Sequence, residues 1–342
     1  MKRVFLISLA VILAISMVVV GCPEPIDDDE EPDIELPEVL SWGSRGTGPY
    51  NILSVGFLTL VDTNTPITVA FREAASLAAA ISMMRDGELE IFAFSLRDLG
   101  HAYRGTAELE EMGKSDIRLI LAGYQSDIGF FTAPRTGATT IEDMAGLRVS
   151  YSSVRAPIFT DIGAAILEYY GILGEIIDVP NVPKAEKLSG ILEGTLDVSL
   201  EGFDSGNPQE LMANIGVVYL PISEECAAYV HEQLGYTTTG TVKAGAYGGI
   251  IDHDTIAISG VGGVACDATL TDDTVYEIVK AIYDNYAEVL PIHELFEMMV
   301  LEKAAHLSAT VPYHEGAIRY YKEQGVWSAE MEALQQKLLA QQ

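Results

Sequence analysis

Positive charge is scarce in this chain: 20 Lys and Arg stand against 50 Asp and Glu, a formal charge of −30 over 342 residues. Nothing on so acidic a surface offsets the repulsion of phosphates, so nucleic acid is excluded as a partner. Cysteine is nearly absent, with Cys22, Cys226 and Cys266 only. These spacings make neither a disulfide framework nor a metal-ligand pattern. Cys226 and Cys266 have the option of pairing in an oxidising compartment, but the expected state is two separate buried thiols. The six His are scattered, and no two share metal-ligand spacing. Also missing are the Gly-Lys-Ser/Thr of a P-loop, Gly-x-Gly-x-x-Gly, Gly-x-Ser-x-Gly, His-Glu-x-x-His and a Cys–His signature. No catalytic residue, metal or cofactor is assigned, and the chain is not read as an enzyme.

Long uncharged runs are confined to one place. Val4 to Val20 follows the positive start Met1-Lys2-Arg3. It is shorter than the roughly 20 apolar residues of a spanning helix and ends at small Gly21, the pattern of a secretory signal. Val19-Val20-Gly21-Cys22 resembles the lipobox of bacterial lipoproteins. That resemblance implies a signal over 1–21, with Cys22 becoming the lipid-modified first residue and holding the protein to a membrane outside the cytoplasm. Residues 22–39 carry Asp27-Asp28-Asp29-Glu30-Glu31 among prolines. Like charges with so little to bury form a solvated tether.

The remaining 300 or so residues suit two domains better than one core. Two stretches carry the organisation. In Met84-Arg85-Asp86-Gly87-Glu88-Leu89-Glu90-Ile91-Phe92-Ala93-Phe94-Ser95 an amphipathic run stops at a Gly cap. A short strand follows, with an acid just before its apolar core. Leu192-Glu193-Gly194-Thr195-Leu196-Asp197-Val198-Ser199-Leu200-Glu201-Gly202 repeats the design. Two such units predict two similar α/β domains that offer strand ends to a shared cleft, where ligands of open α/β sheets sit. Strands are expected at Ile67–Phe71, Ile117–Ala122, Ile128–Thr132 and Thr255–Ile258, and helices from Glu73 to Arg85, from Thr139 to a stop at Gly146, and at Thr274–Leu290. Ile128–Thr132 is expected to cross into the second domain and Thr241–Tyr247 to return. This places domain I at 40–132 plus 250–342 and domain II at 133–249.

The order of these segments resembles the TAXI solute receptors of tripartite ATP-independent (TRAP) transporters. Gly43 to Gly48 loosely matches their Gly/Thr-rich first loop. Met84 to Ile91 matches their Leu-Arg-x-Gly-Glu-x-Asp-Leu step, and Met144-Ala145-Gly146-Leu147-Arg148-Val149 their strand entry. Gly245-Ala246-Tyr247 is similar to their Ala-Gly-Thr-Tyr segment. Pro312-Tyr313-His314-Glu315-Gly316-Ala317-Ile318-Arg319-Tyr320-Tyr321 follows their Pro-x-His-x-Gly-Ala-x-Arg-Tyr-Tyr position by position. The resemblance implies a periplasmic-binding-protein type II fold, two α/β domains with a hinge and a central ligand cleft. It also implies a small organic anion or amino acid as ligand and TRAP permease subunits as membrane partners. Departures mark the pocket: Arg155-Ala156-Pro157 replaces a Gly-Ser-rich loop, Arg45 stands among small residues, and Phe94-Ser95-Leu96 replaces Gln-Ser-Asp.

The candidate ligand contacts are Ser44, Arg45, Gly46, Thr47, Tyr50, Ala75, Ser76, Ser95, Tyr151, Arg155, Ala156, Phe203 and Asp204. Arg155, at a strand end, has the geometry to grip a carboxylate with two charge-assisted bonds. Its alternative is an ion pair with Asp161 or Glu201. Tyr151 and Phe203 are candidate hydrophobic walls, and the hydroxyls of Thr47, Ser76 and Ser95 candidate donors or caps. His314 is read as a structural helix start. Two other functions remain open: a ligand-sensing lipoprotein with a membrane signalling partner, and an extracytoplasmic enzyme.

Overall fold

The computed structural model describes residues 35–341; the signal, Cys22 and most of the tether lie outside them. The chain opens with β1 (Val39–Ser44), α1 (Pro49–Asn64), β2 (Thr68–Glu73), α2 (Leu77–Arg85), β3 (Ile91–Ser95) and α3 (Leu96–Arg104). Long β4 (Ile117–Thr132) leads to β5 (Arg148–Ser150), α4 (Pro157–Tyr169), β6 (Ile177–Asp178), α5 (Lys184–Glu193), β7 (Val198–Gly202) and α6 (Gly206–Asn214). After β8 (Val218–Leu220), α7 (Glu224–Leu234), β9 (Thr237–Val242) and α8 (Ala246–Gly249), the chain returns along β10 (Thr255–Asp267). It closes with α9 (Asp272–Asp284), α10 (Leu301–Ala304), α11 (Glu315–Glu323) and α12 (Ala329–Leu339).

One sheet runs in the order β2-β1-β3-β10-β4-β7-β5-β6, with β8 added to β4 and β9 to β10. The two long strands change partners midway. In β4, Ile117 to Gln125 pairs with β10, whereas Ile128 to Thr132 pairs with β7. In β10, Thr255 to Gly260 pairs with β9, and Val261 to Asp267 with β4. The sheet therefore has two halves joined by two strands. Asp127 fastens the crossing, accepting from Ser259 Oγ at 2.5 Å and from Tyr247 OH at 2.9 Å.

The two repeated stretches fold alike, down to the acid before each strand. Gly87 and Gly194 adopt left-handed φ of 72° and 76° and end α2 and α5. Glu90 Oε2 accepts from the backbone N of Ser41 in β1 at 2.7 Å. Asp197 Oδ2 accepts from the backbone N of Arg148 in β5 at 3.0 Å. Each carboxylate thus ties its strand to its parallel neighbour. Asp197 also binds Arg148 through both oxygens at 2.8 Å and Arg135 at 3.0 Å. Burial pushes its pKa up, but these partners outweigh burial and hold it at about 2. A depressed pKa contributes stability that is complete above the unfolded value of about 3.9 and is lost as pH falls toward 2. Asp197→Asn is therefore expected to flatten the stability–pH curve between about pH 4 and 2, measured by urea unfolding; an unchanged slope would remove Asp197 from the account.

Several expectations need correction. The helix expected from Thr139 to the stop at Gly146 is a single turn, Glu142–Met144, and Asp143 Oδ2 accepts from the N of Thr139 and Thr140 ahead of it. The helix expected from Glu73 begins at Leu77, capped by Ser76, since β2 continues to Glu73. The helix expected to reach Leu290 stops at Asp284. Cys226 and Cys266 are both buried and unpaired, as expected.

The carboxyl-terminal motif is a packing device. His314 caps α11, its Nδ1 accepting from Gly316 N at 3.2 Å while Nε2 reaches Leu270 O at 3.0 Å. A Cβ on Gly316 would stand 2.1 Å from Asp272 O and 2.8 Å from Tyr276 N, both backbone atoms of α9. Gly316→Ala must separate α11 from α9. It is expected to cost about 1–3 kcal/mol in urea unfolding, and an unchanged midpoint would contradict this.

Candidate functional site

The carboxyl ends of β1, β3, β5 and β7 converge where the two long strands change partners. A cavity of about 370 Å³ lies there, with Ser126 of β4 and Gly260 of β10 in its wall. Among the helices that begin on it are these three: α1 through Gly48 and Pro49, α4 through Ala156, and α6 through Ser205. No side chain caps the first turn of any of the three. Uncapped N–H groups and the positive end of the helix dipole favour an anion. Pro49 and Pro157 open α1 and α4, a position where the missing N–H costs nothing.

Charged side chains complete the wall. Arg45 donates from Nη1 to the Arg155 carbonyl at 2.5 Å, stands 3.7 Å from Asp98 and lies over the Phe94 ring at 5.0 Å. Its Nε is buried without a partner. Buried donors are rarely left so, and the Arg45 side chain lines the cavity. Arg155 is exposed and its guanidinium has no ion-pair partner among the described residues. Both partners considered for it are engaged elsewhere. Asp161 binds Arg97 and Tyr236 OH, each at 2.5 Å, and Glu201 accepts from Asn207 at 3.1 Å and Ser205 at 3.3 Å. Lys184 also lines the cavity.

Three acids share the wall: Asp98, Glu201 and Asp204. Burial raises the pKa of each, opposed at Asp98 by Arg45 and Arg97 and at Glu201 by Lys187 and Asn207. Asp204 feels Asp127 and Glu294 as further upward pushes. The cavity holds opposite charges near one another, which suits an anion carrying a second polar or cationic group.

Of the residues expected at the site, Arg45, Thr47, Tyr50, Ser95, Arg155, Ala156 and Asp204 line this cavity. Ala75, Ser76 and Tyr151 line an adjoining space that shares Arg45 and Arg155 with it. Ser44, Gly46 and Phe203 line neither. Ser44 is buried and bonds Asn51 at 3.1 Å. Gly46 turns the loop at φ 72° against Glu73. Phe203 is not a wall: it packs edge-on against Phe131, Tyr219 and Tyr247 in a separate aromatic core. Sequence reasoning passed over Asp98, Tyr124, Ser126 and Lys184. Asp98 was signalled, for Ser95-Leu96-Arg97-Asp98 has the spacing of an N-cap and its third helical residue, and Ser95 does accept from Asp98 N at 3.1 Å. Ser126 carried no signal, because its place depends on where β4 changes partners.

The model of the NMT1-like family matches residues 43–325. Among solved structures the chain is similar to XAC2383 from Xanthomonas citri bound to ATP, at 10% identity over 89% of this chain and 99% of that one, TM-score 0.50. It is also similar to PhnD1 from Prochlorococcus marinus in complex with methylphosphonate, at 12% identity over 77% and 91%, TM-score 0.51. A TRAP periplasmic solute binding protein from Rhodobacter sphaeroides matches at 12% identity over 89% and 99%, TM-score 0.46. The architecture is that of the type II periplasmic binding proteins.

Proposed function

The chain belongs to the NMT1-like family, and on that premise we propose that it is an extracytoplasmic solute-binding receptor. It captures a small organic anion or amino acid between the two halves of its sheet and delivers it to a membrane permease. The observation that carries this reading is the meeting of three uncapped helix starts with the orphan Nε of Arg45 and the unpaired Arg155 in one cavity. Such a set binds and releases an anion without needing to react with it. Residues 40–132 with 250–342 act as one lobe and 133–249 as the other, and β4 and β10 form the hinge. Closure is favoured by contacts the ligand makes only when both lobes reach it.

The motif resemblance further supports a TAXI receptor working with TRAP permease subunits, tethered to a membrane through lipid on Cys22. No helix among the described residues is long and apolar enough to cross a membrane. A thermal-shift panel of carboxylates, sulfonates, phosphonates, amino acids and neutral sugars tests the reading. An anion at about 100 times its Kd adds about 2.7 kcal/mol, a rise of several degrees for a chain of this size. Anions are expected to shift the transition and to be recovered unchanged by mass analysis. Neutral sugars shifting it in their place, or chemical conversion of a bound anion, would overturn the proposal.

A further inference from the structure

The cleft continues past Arg45 and Arg155. A second space of about 780 Å³ adjoins the cavity, and Arg45, Asp98 and Arg155 line both. Its walls come from both halves of the sheet: Ser76, Ala78 and Arg97 on one side, Tyr151, Ser153 and Asn181 on the other. It is thus part of the cleft between the halves and not a dent in one of them. The inner cavity, at about 370 Å³, falls near the lower end of the roughly 300–1,000 Å³ typical of small-molecule sites. A ligand confined to it would leave the larger space to water.

The two spaces differ in chemistry. The inner one gathers helix starts with Arg45, Arg155 and Lys184, set against the acids Asp98, Glu201 and Asp204. In the outer one most fixed charge is consumed internally, since Arg97 binds Asp98, Glu108 and Asp161. The rest of its lining is apolar side chains, Ala75, Ala78, Tyr151 and Val154 among them, with Asp178 and the hydroxyl and amide groups of Ser76, Ser152, Ser153, Thr160 and Asn181 interspersed. Arg45 and Arg155, which line both spaces, are joined by the bond from Arg45 Nη1 to the Arg155 carbonyl.

We propose that the ligand is an elongated organic anion, its anionic head in the inner cavity and an uncharged, hydrogen-bonding tail in the outer space. This rests on the anion-binding reading of the inner cavity. Such a ligand touches both halves along its length, so closure is sensed by head and tail together.

The test titrates the full-length chain in detergent micelles with three acids of increasing hydroxylated length: glycerate, gluconate and lactobionate. Sulfonates and phosphonates serve as further anions. Affinity is expected to rise at least tenfold (about 1.4 kcal/mol) from glycerate to the longer acids. Ala78→Trp, which places an indole in the outer space, is expected to abolish that gain while leaving glycerate within about twofold. Ala78→Leu, a smaller obstruction, replaces it should the Trp variant not fold. Equal affinity for the three acids, or equal weakening of all three in the variant, overturns the extended ligand and leaves the anion site standing. Failure of every anion to bind overturns the anion reading itself, and the extension with it.

Discussion

Arg155→Ala is expected to weaken binding of the ligand anion about 10- to 100-fold, the loss of a charge-assisted hydrogen bond of about 1.5–3 kcal/mol. The unfolding transition of the empty protein should stay within about 0.5 kcal/mol of the parent, because Arg155 is exposed and its guanidinium has no ion-pair partner among the described residues. That pairing of effects separates a binding residue from a structural one. Arg155→Lys keeps the charge and loses the fork, so it should recover only part of the affinity. Titration calorimetry and thermal unfolding of the same preparations give both readouts. Unchanged affinity in Arg155→Ala would take Arg155 out of the site. A large loss of stability would make it a structural residue after all.

Arg97→Ala is expected to produce the largest loss of stability, about 3–5 kcal/mol. Arg97 is buried and contacts Asp98 at 3.2 Å, Glu108 at 2.7 Å and Asp161 at 2.5 Å. Removing it leaves Asp98, itself buried, with Arg45 at 3.7 Å as its remaining cationic partner among the described residues. An uncompensated buried carboxylate is what makes a broken buried pair costly. Glu108 is about half exposed and adds little to the total. Arg97 lies in α3 and Asp161 in α4, so the pair also joins the two halves of the sheet across the cleft. Asp161→Asn, which keeps the hydrogen bond and removes the charge, should cost less and should lower anion affinity by loosening closure. Urea unfolding measures the first effect; a midpoint unmoved in Arg97→Ala would contradict the account of this cluster.

The repeated stretches were legible because each role in them is local. A Gly after the last helical turn, an acid before a strand and an apolar core all lie within a dozen residues. The sequence did not reveal that Glu90 and Asp197 reach across to the backbone of β1 and β5, since their partners lie 49 residues away. The crossing between the halves was half visible. Thr255–Ile258 was expected as a strand, whereas β10 runs on through Gly260, Gly262 and Gly263 to Asp267. A Cβ at Gly262 would meet the Tyr50 ring at 2.5 Å. The glycines there admit a neighbour and do not break a strand. Likewise Ile117–Ala122 and Ile128–Thr132 were expected as two strands and form one. The change of partner near Asp127 is a tertiary event that no local pattern encodes.

The candidate site was legible to the extent that it is built from loop residues after strands. Arg45, Thr47, Tyr50, Ser95, Arg155, Ala156 and Asp204 meet in one cavity because each follows or closes a strand or opens a helix. Phe203 fits the same description and points elsewhere: which side of the sheet a residue faces after a strand ends depends on the turn it enters. Its place among Phe131, Tyr219 and Tyr247 follows from that turn and from the apolar area the four rings remove from water.

The central claim is that an anion is held between the two halves of the sheet, at the starts of α1, α4 and α6. A crystal structure of the protein with the anion that stabilises it most tests this directly. The account predicts the anionic head in the inner cavity, about 3 Å from the Arg155 guanidinium or Arg45 Nε. An anion bound elsewhere on the protein, with the cavity between the halves empty, would contradict it.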